Sequence, residues 1–471
     1  MIETIHIVYP EIVVAFFAFL AVSITVLSKE EKDLPAYLSL AGIIIAMIYV
    51  ITLRDVDAQF FTFVFDYYAW VLKLLFLTVT LLVILISINY LRDYKESVGE
   101  YYALLLIATV GMMVVVSARE LITLYVAFET ASLSTYALTA YFKKDKFSNE
   151  AGFKYLFFGA FSSGLILYGL SLVYGLTGTT QLTAIATTFT MDNPLAFLAV
   201  GMMIAGFGYK ISAVPFHMWT PDVYQGAPTS VTAFLSAGSK AMGLAIFIQV
   251  FVIGLYLANV EWGMILAFIA FITMTLGNVV ALWQQNVKRM LAYSSIAHAG
   301  YAMIGLAAFS PLGIASSLFH ILTHALMKAG AFGVVAFTAF KGLGENVEDF
   351  NGLWKKAPIL ALAMTIFMFS LAGFPPLGGF WSKYFLFDSA IGANLWLLAL
   401  AGVINSVISV FYYARVIRAI YVEEPLKAGR IKQPIELTLA VVICLIGVIV
   451  IGIYPQPFFD ALLNAVNVIL P

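Results

Sequence analysis

The sequence predicts an all-α integral membrane protein of about 14 transmembrane helices, and three observations predict it. Of 471 residues, 62% are apolar and only 11% are charged, where an ordinary soluble domain carries roughly 25% charged residues. Mean hydropathy is +0.97. The apolar stretches are long and continuous, unlike the short alternating segments of a membrane barrel. So little polar material cannot cover a soluble globule, which excludes a soluble enzyme, a nucleic-acid binder and a disordered chain. The net charge of −1 gives no ground for a polyanionic partner. The single cysteine, Cys444, excludes a disulfide framework and a cysteine-ligated metal or iron–sulfur site; it reads as a small apolar residue inside a helix.

A helix crossing the hydrocarbon needs about 20 apolar residues. The spans fall at 9–27, 36–53, 68–91, 100–117, 120–142, 152–175, 195–216, 228–257, 262–282, 290–308, 312–340, 357–391, 392–414 and 434–454. They consume nearly the whole chain and leave no room for a soluble domain. The start, Met1-Ile-Glu-Thr-Ile-His6, has no basic region, so the first helix reads as a retained span and not as a signal peptide. Lys and Arg collect in inner loops. With the N-terminus outside, the inner loops hold 17 of them and the outer loops hold only Arg54 and Arg119. Both termini are therefore expected on the outer side.

Six lysines remain within predicted spans: Lys73, Lys154, Lys210, Lys240, Lys328 and Lys383. Glu129 lies mid-span as well. A charge at membrane depth costs several kcal/mol unless it is paired, neutralised or hydrated. Lys73 and Lys154 sit near span ends, from which a lysine snorkels to the interface. Four of the five histidines, His217, His298, His320 and His324, lie in or beside spans. His320, His324 and Lys328 follow at intervals of four and share one helix face. Two histidines at that interval also suit a metal, but the segment His320-Ile-Leu-Thr-His324 lacks the glutamate of the metalloprotease pattern. A water-linked proton relay accounts for the whole set, because imidazole titrates near neutral pH and passes protons through both ring nitrogens.

Two spans are interrupted. Lys210-Ile-Ser-Ala-Val-Pro215-Phe-His217-Met-Trp-Thr-Pro221-Asp222 and the following Gly226-Ala-Pro228 form one break; Gly373-Phe-Pro375-Pro376-Leu-Gly378-Gly379-Phe-Trp-Ser-Lys383 forms the other. Proline removes a donor and clashes with the preceding turn. The freed carbonyls are tolerated in lipid only where protein or water satisfies them, and paired breaks mark an ion path. An ordinary proline kink is the alternative. The pairing divides the chain into N-terminal helices 1–3 (1–99), a first repeat of helices 4–8 (100–257), a second of helices 9–13 (258–420) and a C-terminal helix 14 (421–471). Five is odd, so two consecutive five-helix repeats would be inverted.

These motifs resemble the antiporter-like membrane subunits of respiratory complex I, the proton-pumping NADH:quinone oxidoreductase, over nearly the whole chain. The resemblance is carried by Glu120-Leu-Ile-Thr-Leu-Tyr-Val-Ala-Phe-Glu129, by Glu150-Ala-Gly-Phe-Lys154-Tyr, by Pro215-Phe-His-Met-Trp-Thr-Pro-Asp-Val-Tyr-Gln-Gly-Ala-Pro228 and by Ser236-Ala-Gly-Ser-Lys240. It continues in Ser294-Ser-Ile-Ala-His298-Ala-Gly-Tyr and Phe369-Ser-Leu-Ala-Gly-Phe-Pro-Pro-Leu-Gly-Gly-Phe-Trp-Ser-Lys383. The last two runs favour the N-type subunit. The segment from His320 to Lys328 is closer to the L, M and antiporter pattern. The resemblance implies a proton relay through Glu129, Lys210, Lys240 and Lys383, with His298, Lys154, His217, His320, His324 and Lys328 in secondary roles. It implies no cofactor or metal in this chain, with flavin, iron–sulfur clusters and quinone in partner subunits. Those partners are other membrane-arm subunits and a peripheral redox arm, in the cell membrane of a prokaryote. Archaeal relatives oxidise a deazaflavin or ferredoxin, so the donor stays open. A subunit of a multi-subunit Na⁺/H⁺ antiporter and a non-transporting scaffold are the other readings.

Overall fold

The computed structural model describes residues 2–27, 33–92, 98–425 and 429–470. Lys29, Lys32, Lys95 and Lys427 of the inner-loop set fall outside them. Among the described residues, 12 helices are long and apolar enough to cross a membrane, from Thr4–Leu27 to Ile435–Ile453. They match 12 of the expected spans. The other two differ for physical reasons. Residues 290–308 belong to the helix Val287–Ala308, whose Lys288, Arg289, serines and His298 lower its hydropathy; nearly all of it is buried against other helices instead of facing lipid. The expected span 357–391 is two half-helices, Pro358–Ala372 and Gly378–Gly392. Likewise the span 195–216 stops early, at Ile211, and a short helix Trp219–Gly226 follows.

Some elements were not expected. An antiparallel hairpin pairs Ala58–Phe60 with Phe63–Phe65. The C-terminal helix Gln456–Ile469 has 14 residues, too few to cross. It buries one stripe, Phe459, Leu462, Ala465, Val466 and Ile469, at helical spacing.

The centre of the molecule is set by burial. Over its most apolar 18 residues the span Thr229–Gly254 is 100% buried and Pro311–Phe340 is 94% buried, against 33% for Thr4–Leu27 and Lys146–Thr177. These two central helices carry Lys240, His320, His324 and Lys328. Small residues let the neighbouring helices close up. A Cβ at Gly277 would stand 2.6 Å from the Ala297 nitrogen, so only glycine lets Asn259–Ala281 pack this tightly beside His298.

The two interrupted helices end alike. Pro194–Ile211 closes with Ser212 at φ 66°, and Pro358–Ala372 closes with Gly373 at φ 95°. In the first, the N–H of Ser212 donates to the Tyr209 carbonyl and that of Ala213 to Gly208; in the second, Gly373 donates to Ser370 and Phe374 to Phe369. This is the same C-terminal cap built twice. A cis Val214–Pro215 bond and a cis Pro375–Pro376 bond follow at the same distance from each cap. A second pair of features matches. The Glu120 side chain caps Leu121–Thr139 and Asn286 caps Val287–Ala308. Each capping residue also forms a bridge, Glu120 with Gln181 and Asn286 with Asn346.

Candidate functional site

Each break leaves carbonyls without an intrahelical partner, and a helix C-terminus carries partial negative charge. A buried lysine answers both needs. Lys240 Nζ donates to the carbonyl of Ile211, the last residue before the first break, at 2.9 Å, and to that of Ser295 at 3.2 Å. Lys383 Nζ donates to the carbonyl of Ala372, the last residue before the second break, at 2.8 Å. Neither lysine has a carboxylate against it among the ion pairs of the described residues. The breaks and the lysines are therefore one device: each half-helix end holds an ammonium in place with neutral acceptors. Lys240 stands at the end of a five-residue π-helical stretch, Leu235–Ser239, a local widening found often at functional positions. Lys383 also borders a cavity of about 410 Å³ lined by Phe374, Phe380, Tyr384 and Val407.

Lys210 sits at the end of its half-helix, 1% exposed, and donates to Ser132 Oγ at 3.0 Å. Aromatic rings wall it in, with Phe128 at 5.3 Å, Tyr155 at 5.9 Å and Tyr136 at 6.0 Å from Nζ. Glu129 lies on the same helix as Ser132 but is not hydrogen-bonded to Lys210, and its Oε1 is buried without a hydrogen-bond partner. Glu129 and Lys210, two of the relay residues that the resemblance implies, are thus near each other and not joined.

The histidines come together. His298 Nδ1 and His320 Nε2 are 3.1 Å apart, and His320 Nδ1 is 3.1 Å from Ser382 Oγ. The His324 ring lies 5.0 Å from that of His298, and both its nitrogens are buried without a partner. Lys328 donates to the Leu291 carbonyl at 2.8 Å and to Ser294 Oγ at 2.7 Å. Ser294 in turn is hydrogen-bonded to the Tyr413 hydroxyl. His217 lies beside the first break with its Nδ1 buried and unpartnered.

Two lysines stand apart from this set. Lys73 does not snorkel: it is buried and pairs at 2.7 Å with Glu11, a buried carboxylate in the first turn of the helix Tyr9–Leu27. Lys154, 34% exposed, pairs with Asp222 and Glu150, each at 2.7 Å, and Asp222 also takes Arg289 at 2.7 Å. It faces this surface network and not Glu129. Partial burial alone would raise the Asp222 carboxyl, but the two cations beside it win and hold it below the usual carboxylate range.

Sequence reasoning missed Ser132, Ser382, Ser294 and Tyr413. Ser294 precedes His298 by one helical turn, and Ser382 adjoins Lys383 in sequence; those spacings were the available signal. Tyr413 carried none beyond being polar within a span.

The family model described as NADH:quinone oxidoreductase/Mrp antiporter, TM matches residues 118–409. Subunit N of the F(420)H(2) dehydrogenase of Methanosarcina mazei is 40% identical over 467 residues, covering 94% of each chain. Subunit N of the NADH-quinone oxidoreductase of Trichlorobacter lovleyi is 41% identical over 477 residues, covering 99% of this chain and 97% of its own. A chain of respiratory complex I from Thermus thermophilus with bound aureothin superposes with a TM-score of 0.83 at 31% identity, over 96% of this chain and 99% of its own. The Mrp complex of Dietzia shares the fold, with a TM-score of 0.87 at 18% identity over 97% and 96%. This chain belongs to the NADH:quinone oxidoreductase/Mrp antiporter transmembrane family, as an antiporter-like membrane subunit of the complex I type.

Proposed function

We propose that this chain moves protons through its buried Glu/Lys/His set, as a non-redox subunit of a complex I-type oxidoreductase. The observation that carries the reading is the pair of broken helices whose freed ends hold Lys240 and Lys383. A scaffold has no need of buried ammonium groups held by neutral carbonyls. A path for protons needs groups that hold a proton weakly enough to pass it on, and this arrangement provides them.

Glu129, Lys210, Lys240 and Lys383 form the relay, with His298, His320, His324 and Lys328 linking its second half. His217 and Lys154 are assigned to its margin. Approach of the Glu129 carboxylate keeps the proton on Lys210; its withdrawal releases the proton toward Lys240. The buried and unpartnered hydroxyls of Tyr155 and Ser239 lie near these two lysines, and internal water would bridge them. Moving one charge against 150 mV takes roughly 3.5 kcal/mol. That drive comes from partner subunits, which carry the flavin, iron–sulfur clusters and quinone site.

The matching caps, bridges and breaks support two repeats at 100–257 and 258–420, with 1–99 and 421–471 as flanks. Five crossings separate Glu120 from Asn286, so the repeats would be inverted. The distribution of Lys and Arg supports both termini on the outer side of a prokaryotic cell membrane.

A mild-detergent pull-down of the tagged chain from its own membranes, with partners identified by mass spectrometry, tests the assembly. Flavin and iron–sulfur subunits are expected, and the donor-binding subunit among them names the electron donor. A set of small membrane subunits with no redox protein would transfer the relay to cation/proton exchange.

A further inference from the structure

The proton path needs a link between Lys328 and the histidines, and the ordinary candidates for it do not touch. His324 stands one turn from Lys328 on the same helix, yet neither of its ring nitrogens has a hydrogen-bond partner. The contacts that do exist run elsewhere. Lys328 Nζ donates to Ser294 Oγ at 2.7 Å, Ser294 Oγ is hydrogen-bonded to the Tyr413 hydroxyl, and that hydroxyl lies 3.5 Å from His298 Nε2. From His298 the line continues to His320 at 3.1 Å and to Ser382 at 3.1 Å, one residue before Lys383. Every member is buried, with Ser294 and Lys328 at 0% and Tyr413 at 1% exposure.

We propose that Ser294 and Tyr413 are relay groups that join Lys328 to His298, so that protons pass between the two halves of the second repeat through hydroxyls and not through His324. The inference rests on the proton-path reading above. The hydroxyls and imidazoles on the line each both donate and accept, which a proton wire requires and a carbonyl cannot offer. The transfer balances as follows. Lys328 gives a proton to Ser294 Oγ, which gives its own to Tyr413, which gives its own to His298 Nε2. With His298 in the Nδ1–H tautomer, that Nδ1 proton passes to His320 Nε2, and His320, whose Nδ1 proton donates to Ser382 Oγ, becomes the imidazolium. Lys328 is left neutral, and one proton has advanced to His320. The longest separation on the line is 3.5 Å, at Tyr413–His298.

The test uses the assembled complex in proteoliposomes, with Ser294→Ala and Tyr413→Phe, each of which removes one hydroxyl and keeps the packing. Each should slow proton translocation roughly three- to tenfold, the rate equivalent of one net hydrogen bond. The double variant should be no slower than the slower single, because both cut one line. The slowing in D₂O should grow in the variants, a readout that altered packing would not move. Ser389→Ala is the control: its buried hydroxyl donates to the Leu386 carbonyl of its own helix at 2.8 Å, off the line, and the rate should hold. Lys383→Ala is measured in parallel. If Lys383→Ala loses pumping while Ser294→Ala and Tyr413→Phe run at the wild-type rate, the hydroxyl link is wrong and the proton path stands. If all three run at the wild-type rate, both are wrong. Should Tyr413→Phe fail to assemble, Ser294→Ala alone decides.

Discussion

The lysines show how one residue type serves two ends in one chain. Lys73 has a carboxylate at 2.7 Å, and Lys383 has a carbonyl at 2.8 Å. An ion pair fixes its charges, whereas a neutral acceptor leaves the proton free to go. The two should therefore respond differently to substitution. Lys73→Met strands a buried Glu11 and should destabilise the complex by about 3–5 kcal/mol; adding Glu11→Gln should recover much of that, with pumping per electron unchanged. Thermal denaturation of the purified complex checks it. Lys383→Arg keeps the charge and the bond to Ala372, but a guanidinium does not release its proton. That variant should assemble normally and lose most of its proton translocation, as a pH-dye assay in proteoliposomes would record. At this scale the lysines were legible in the sequence, because burying a charge in lipid is costly enough to make each one conspicuous. Their partners were not. Serines, tyrosines and backbone carbonyls are common in helices, and Glu11 stood too near a span end to be matched with Lys73.

The broken helices are the elements that make the site. Proline placed both breaks correctly in the sequence, since a missing donor and a clash at the preceding turn leave few other outcomes. The half-helix ends were not foreseen as acceptors: Lys383 lies within the second break's own motif, but Lys240 comes from the next membrane helix, 29 residues beyond Ile211. Nor were the π-helical stretches at Leu235–Ser239 and Ile248–Gly254, which no residue type announces. Gly373 is the position of the second break most sensitive to a side chain. At φ 95° a Cβ is strained, and it would also stand 3.0 Å from Lys383 Cδ. Gly373→Ala should cost about 1–3 kcal/mol and displace the Lys383 ammonium, lowering pumping along with stability. Gly392→Ala, where a Cβ meets nothing within 4 Å, should do neither. Stability curves and pumping rates of the two variants, measured together, separate a strained break from a general intolerance of alanine.

Across the whole molecule the polar groups run through the middle of a body whose outside is apolar, from Glu129 and Lys210 in one half to Lys383 in the other. Length, composition and the apolar runs gave away the membrane fold, and the loop Lys and Arg residues are the sequence's signal for its orientation. The hairpin and the C-terminal helix stayed hidden: one is too short to carry a pattern, and the other is amphipathic where a span was sought. The account predicts a coupled path, in which cutting the Glu129 end disables transport far away at Lys383. The most direct measurement is proton translocation per electron in the assembled complex carrying Lys210→Ala or Glu129→Ala, in sealed proteoliposomes beside the wild type. A reduced ratio or rate in both variants, with the subunits retained, is the predicted result. Wild-type pumping per electron in both would contradict the relay.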